Sequence, residues 1–195
     1  MKYINQLEYP HIPYHTNMAD ARVENKESNV AREGCGPSAI CMMIDLLTNR
    51  SLTIEECIHI SEECGATPRV GTDMTILGPV IAEKYDLTYG TTMDPEEAIR
   101  HLQNGGQVIS LVGIPEGKTI GLFTRSGHYI NLISCDGKEF CILDPSYTPE
   151  KYEIPERKGR VNTATAPFLY CDVETVDSET KPNRIKYFLF ARKKG

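Results

Sequence analysis

Gly34-Cys35-Gly36-Pro37-Ser38-Ala39-Ile40-Cys41-Met42-Met43-Ile44-Asp45-Leu46-Leu47 is the stretch from which the rest of this 195-residue chain is read. Ile40, Met43, Ile44 and Leu47 recur at helical spacing, and Pro37 suits a first turn, so the pattern predicts a helix over 36–47. Cys35 then stands at its N-terminus, between two glycines that let another backbone approach closely. Unpaired N–H groups and a positive field at that terminus favour thiolate over thiol. A cysteine that merely packs in a turn gains nothing from glycine flanks, which leave it exposed.

Upstream, residues 1–32 are polar, flecked with aromatics and aperiodic, and read as an irregular arm wrapped on the domain. Downstream, Thr53 and Glu56 form a capping box for a second helix that stops at Gly65. Met74, Leu77, Val80 and Ile81 are spaced for a third, which Gly78 and Pro79 should kink or delay. A fourth has Asp94 as cap, Pro95 in its first turn, Glu96 and Glu97 at the positive end, and Gly105 as stop.

Strands follow. Gln107–Val112 reads as buried, Tyr129–Ile133 and Phe140–Leu143 as a hairpin, and Phe168–Val173 and Ile185–Arg192 as two more. Helices first and strands second mark an α+β domain rather than alternating βαβ units, and the length fits a single domain over 1–195.

His128 opens the first strand of that hairpin, and Asp144, before Pro145, closes the second. A two-residue loop, Asp136-Gly137, sets His128 opposite Pro145 and turns Asp144 to the other face. A three-residue loop, Cys135 to Gly137 with Gly137 at positive φ, sets His128 opposite Asp144. That second register is expected, because it also gathers Ile130, Leu132, Phe140 and Ile142 on one face, for the Cys35 helix to pack on. A carboxylate holding one imidazole nitrogen leaves the other free to face a thiol.

The remaining composition narrows the partners. A net charge of −6 argues against nucleic acid, and the short basic run at Arg192 to Lys194 is too small to alter that. No apolar run approaches a membrane span, and residues 1–15 lack the apolar core of a signal peptide. The chain as it stands reads as cytoplasmic, or as secreted or periplasmic if a signal segment has been trimmed from it. Seven scattered cysteines without a Cys-x-x-Cys pair fit a reduced compartment and hold no zinc spacing, so neither metal nor other cofactor is expected. Cys57 and Cys64 share a helical face, and these two with Cys41, Cys135, Cys141 and Cys171 read as small buried hydrophobes. His11, His15, His59 and His101 read as surface or helix-face residues, and 150–160 as a solvated, charged loop.

Gly-Cys-Gly-Pro-Ser at 34–38, Gly-His-Tyr at 127–129 and Leu-Asp-Pro at 143–145 resemble the bacteriocin-processing, double-glycine peptidase group, above all its stand-alone papain-like members. The resemblance runs from the Asn5-Gln6 arm to Pro145. It implies a papain-like fold, N-terminal helices packed on a C-terminal antiparallel sheet, with Cys35 as nucleophile, His128 as base and Asp144 as orienter. Papain-like enzymes place a Gln shortly before the nucleophile for the oxyanion; that stretch here holds Asn29, Glu27 and Glu33 instead. Gln6 resembles the more distant Gln of the stand-alone members, which implies the oxyanion role for it.

The function expected is peptide-bond hydrolysis through a thioester acyl-enzyme, with a peptide or protein as substrate. An acyl transferase or transpeptidase on the same triad differs only in the acceptor, and a non-catalytic peptide-binding module is the third reading. Net charge alone would favour basic or neutral peptides.

Overall fold

The computed structural model describes residues 1–17, 24–180 and 184–193; part of the arm and Lys194 of the basic run lie outside them. The arm turns once as a 3-10 helix at Gln6–Glu8, and Pro13 bridges to Asn29. Four helices come next: α1 (Val30–Glu33), α2 (Cys35–Leu47), α3 (Ile54–Glu63) and α4 (Met74–Lys84). Strand β1 (Leu87–Thr92) and helix α5 (Pro95–Gln103) lead into β2 (Gln107–Val112), β3 (His128–Cys135) and β4 (Glu139–Leu143). A 3-10 turn at Pro149–Tyr152, then β5 (Asn162–Thr165), β6 (Phe168–Asp172), α6 (Val173–Ser178) and β7 (Tyr187–Arg192) complete the order.

The capping signals form as read. Thr53 and Glu56 exchange both bonds of the capping box, and Asp94 caps α5 through Glu96 N. Helix α4 starts at Met74 and continues through Gly78 and Pro79, so the late start considered for it does not occur. Pro79 faces solvent, so water can serve the carbonyl whose bond it removes. Gly78 instead meets the Tyr89 ring on β1: a Cβ there would lie 2.3 Å from Tyr89 Cε2.

All seven strands are antiparallel, in the order β1-β7-β2-β3-β4-β6-β5. Alternate residues feed two hydrophobic cores. Ile109, Tyr129, Phe188 and Phe190 join α2, α3, α4 and the arm on one face. Val108, Ile130, Leu132, Ile142 and Leu189 join α5 and Val176 on the other. The architecture is therefore the expected α+β arrangement, helices N-terminal and sheet C-terminal. Among the described residues no helix is long and apolar enough to cross a membrane.

Two hairpin expectations fail. Cys135 pairs with Phe140 and Asp136 N donates to Glu139 O at 3.3 Å, so the residues between the strands are Asp136 to Lys138 rather than Cys135 to Gly137. Gly137 does take positive φ, +97°. The register then slips between Leu132 and Ser134, and Asn131 pairs with Leu143. Ile130, Leu132, Phe140 and Ile142 do share one core, but with α5; α2 packs on the opposite face, where Asn131 Nδ2 donates to Ala39 O at 2.9 Å. A period of two assigns residues to faces, but it does not say which face a given helix covers.

Candidate active site

Helix α2 starts at Cys35, directly after Gly34 closes α1, so the thiol is carried by the first residue of the helix. Gly36 is tightly enclosed, since a Cβ on it would come within 2.6 Å of Thr72 Cβ and Oγ1. Cys35 itself is partly exposed, unlike the buried Cys41, Cys57, Cys141 and Cys171. Cys64 and Cys135, half-buried, depart from the expected burial. Only Cys35 of these, among the thiols with a resolved shift, is moved downward. Burial pushes its pKa up, but a hydrogen bond to His128, the His128 charge, and backbone bonds to Tyr129 and Gly36 outweigh that. In Cys57, Cys64, Cys135, Cys141 and Cys171 burial wins and the thiol is pushed up.

His128 is buried at the first position of β3. Its Nε2 donates to Asp144 Oδ1 at 2.7 Å and lies 3.1 Å from Ser146 Oγ, which leaves Nδ1 for the thiol. Burial lowers its basicity, the Asp144 charge raises it, Lys151 lowers it again, and bonds to Asp144 and Cys35 tip the balance upward.

The contact between His128 and Asp144 does not arise from direct opposition. Extending the Asn131–Leu143 pairing by three residues brings Ser146, not Asp144, level with His128. Asp144 reaches across the diagonal, a separation of roughly 7–8 Å between backbones that two polar side chains can close. The chain can bend there because β4 ends at Leu143 and Pro145 cannot extend a ladder.

Asp144 is fully buried and thoroughly satisfied. Oδ1 also accepts Ser146 N at 2.9 Å; Oδ2 accepts Lys151 Nζ at 2.5 Å and Tyr152 Oη at 2.6 Å; its carbonyl accepts Tyr3 Oη at 2.6 Å. Burial alone would raise its pKa, yet the cations Lys151 and His128 hold the carboxyl far below the usual range.

Lys151 and Tyr152 come from the segment read as a solvated loop, and the structure corrects that expectation for them. Tyr152 is buried and Lys151 only 11% exposed; Arg157 is buried too, its Nε donating to Gly121 O at 3.0 Å and Nη1 to Lys151 O at 3.2 Å. Thr148 accepts Lys151 N at 3.2 Å and so winds the turn that delivers Lys151 and Tyr152 to Asp144. The alternation of charge around them resembles a solvated face, and no periodicity distinguished them.

Gln6 is buried between the two halves of the site. Its N donates to Pro145 O at 2.7 Å and its Nε2 to Ala31 O at 3.0 Å and Val30 O at 3.4 Å, while Oε1 has no partner. Glu33, just before the thiol, accepts Asn25 Nδ2 at 2.5 Å and Gly71 N at 3.1 Å, tying the arm and the 67–73 loop to the helix start. The four other histidines stand apart: His15 and His59 are more than half exposed, His11 is exposed, and His101 Nε2 lies 2.9 Å from Phe190 O.

No family model and no curated protein matches this sequence. Among solved structures, the chain is similar to a protein from Bacillus anthracis provisionally described as a C39-like peptidase, with a TM-score of 0.57 and 13% identity over 84% of this chain and 90% of that one. At that identity the likeness speaks for the fold, and the fold it gives to these helices and this sheet is that of a C39-like, papain-like peptidase.

Proposed function

We propose that the chain is a cysteine peptidase in which Cys35 attacks a peptide carbonyl, His128 moves the proton and Asp144 holds the imidazole. The observation that carries this reading is a partly exposed thiol at a helix start, its pKa drawn down by the neighbouring His128, whose Nε2 is held 2.7 Å from a buried carboxylate. Cys35 Sγ, as thiolate, forms the carbon–sulfur bond, and His128 passes its proton to the leaving amine. Water then attacks the thioester while His128 takes its proton back, and Sγ leaves with the carboxylic acid released. The resemblance to the double-glycine group of bacteriocin-processing peptidases belongs to the same proposal.

The oxyanion needs donors, and the amides at the start of α2 supply them. Gln6 remains the proposed side-chain donor. Its support is position: it bridges the Asp144-Pro145 corner and the segment leading into Cys35. To serve, its Nε2 must leave the carbonyls of Val30 and Ala31.

Alkylation with iodoacetamide across pH, with modified cysteines located by mass spectrometry, tests the reading together with cleavage of a mixed peptide library by wild type and Cys35→Ala. Cys35 should react well below the roughly 8.5 of a free thiol, and cleavage should vanish in the variant. Uniform alkylation of all seven cysteines, or cleavage surviving in Cys35→Ala, sinks it.

A further inference from the structure

A cavity of about 430 Å³ lies between the 68–75 segment and the sheet; Cys35 and His128 do not line it, but residues touching or adjoining each of them do. Thr72 is on its wall and also packs against Gly36, the residue after Cys35. Tyr129, the residue after His128, lines it and donates its hydroxyl to Thr72 O at 3.0 Å. A group seated here is therefore within one residue of both Cys35 and His128 along the walls.

The cavity has two chemistries. Leu111, Tyr129, Ile185 and Phe188, buried or half-buried, give it an apolar floor. Arg69 and Arg184 are exposed and stand at the rim, and among the described residues neither has an ion-pair partner. The third charged lining residue, Asp73, spends Oδ1 on Thr75 N at 2.9 Å and Thr75 Oγ1 at 2.5 Å as the cap of α4. An apolar floor beneath two guanidiniums complements an apolar side chain flanked by carboxylates.

We infer that the site selects acidic peptides, seating an apolar side chain in this cavity and holding neighbouring carboxylates on Arg69 and Arg184. The inference rests on the cysteine-peptidase reading and names its substrate class. It runs against the whole-molecule charge of −6. Screening settles which counts: beyond about 8 Å at physiological salt the other charges are largely damped, so a bound peptide feels the two rim arginines against the single carboxylate of Asp73.

The test separates this inference from the reading beneath it. Binding of a fluorescein-labelled peptide with one leucine between pairs of glutamates, and of its lysine counterpart, is measured by polarisation on full-length Cys35→Ala, which needs no catalysis. The glutamate peptide should bind about tenfold more tightly at physiological ionic strength, as expected for two partly exposed charge pairs turned from attraction to repulsion. Added salt should shrink that ratio, and the double variant Arg69→Glu, Arg184→Glu should invert it. Equal binding of the two peptides, no binding of either, or a preference untouched by the double variant overturns the inference. Iodoacetamide labelling of Cys35, measured on the chain without these substitutions, reports the activated thiol independently. A low-pH reaction there with no charge preference removes the substrate assignment and leaves the peptidase; an ordinary thiol removes both.

Discussion

Replacing Lys151 by Met probes the electrostatics of the site most directly. Nζ stands 2.5 Å from Asp144 Oδ2 and 2.8 Å from Ser146 Oγ, which in turn lies 3.1 Å from His128 Nε2. Lys151 and the imidazolium thus flank one carboxylate. Two such cations roughly 5 Å apart repel by about 3 kcal/mol at an effective dielectric of about 20, which corresponds to roughly 2 pKa units. Lys151→Met should therefore raise the His128 pKa further. Other charged and polar groups around the ring are retained: Cys35 from α2, Asp144 and Ser146 from the turn after β4, Tyr152 and Tyr3 on Asp144, and Arg157 behind Lys151.

The same change strands a buried carboxylate with one cation fewer, a loss of about 3 kcal/mol or more. Its pH dependence has a definite sign. His128 already has a folded-state pKa above its unfolded value, so it contributes stability that is fully present below about 6.5 and lost as pH rises through the folded value. Raising that value further makes the variant's deficit smaller at pH 5 than at pH 8. Titration of His128 by NMR in the Cys35→Ala background, with Lys151→Arg as a charge-retaining control, reads the shift, and urea unfolding at two pH values reads the deficit. An unmoved or lowered His128 pKa in Lys151→Met, with Lys151→Arg unchanged, refutes the reasoning.

Asp144→Asn should slow peptide hydrolysis by on the order of tenfold or more, since an amide orients imidazolium but does not stabilise its charge. It should also cost about 3 kcal/mol in denaturant unfolding, because Lys151, only 11% exposed, is left without its partner. Gly78→Ala places a Cβ 2.3 Å from Tyr89 Cε2 and should cost about 1–3 kcal/mol, seen as a lower Tm; an unchanged Tm means β1 yields freely. Gly137→Val has open space but a φ of +97°, so strain alone should cost about 1–2 kcal/mol. Activity per folded molecule should persist, as the turn is at the end of β3 away from His128.

How much of this was legible depends on the range of the interaction involved. The helix at Cys35, the Thr53–Glu56 capping box, the Asp94 cap and the strand character of β2, β3 and β7 are set by neighbours within a turn or by period-two alternation. Such signals lie wholly within a short window of sequence. The short strand β5 and helix α6 escaped that reading, and so did β1, whose Leu87-Thr88-Tyr89-Gly90 start is broken by glycine.

The pairing of His128 with Asp144 illustrates both limits. The two residues were singled out correctly as neighbours, yet through a register the molecule does not use; a slip between Leu132 and Ser134 and a bend at Pro145 produce the contact instead. Lys151 and Tyr152 carried no local signal at all. Their burial depends on a turn folding back onto a carboxylate seven and eight residues earlier, and their charge and polarity favour water until that partner is in place. The sequence by itself determined the capped helices, the longer strands and the chemical identities of thiol, imidazole and carboxylate, because propensity and reactivity are local. Tertiary structure alone decided which face α2 covers, which groups neutralise Asp144, and where two arginines meet an apolar floor, because each of these is settled by burial against residues distant in the chain.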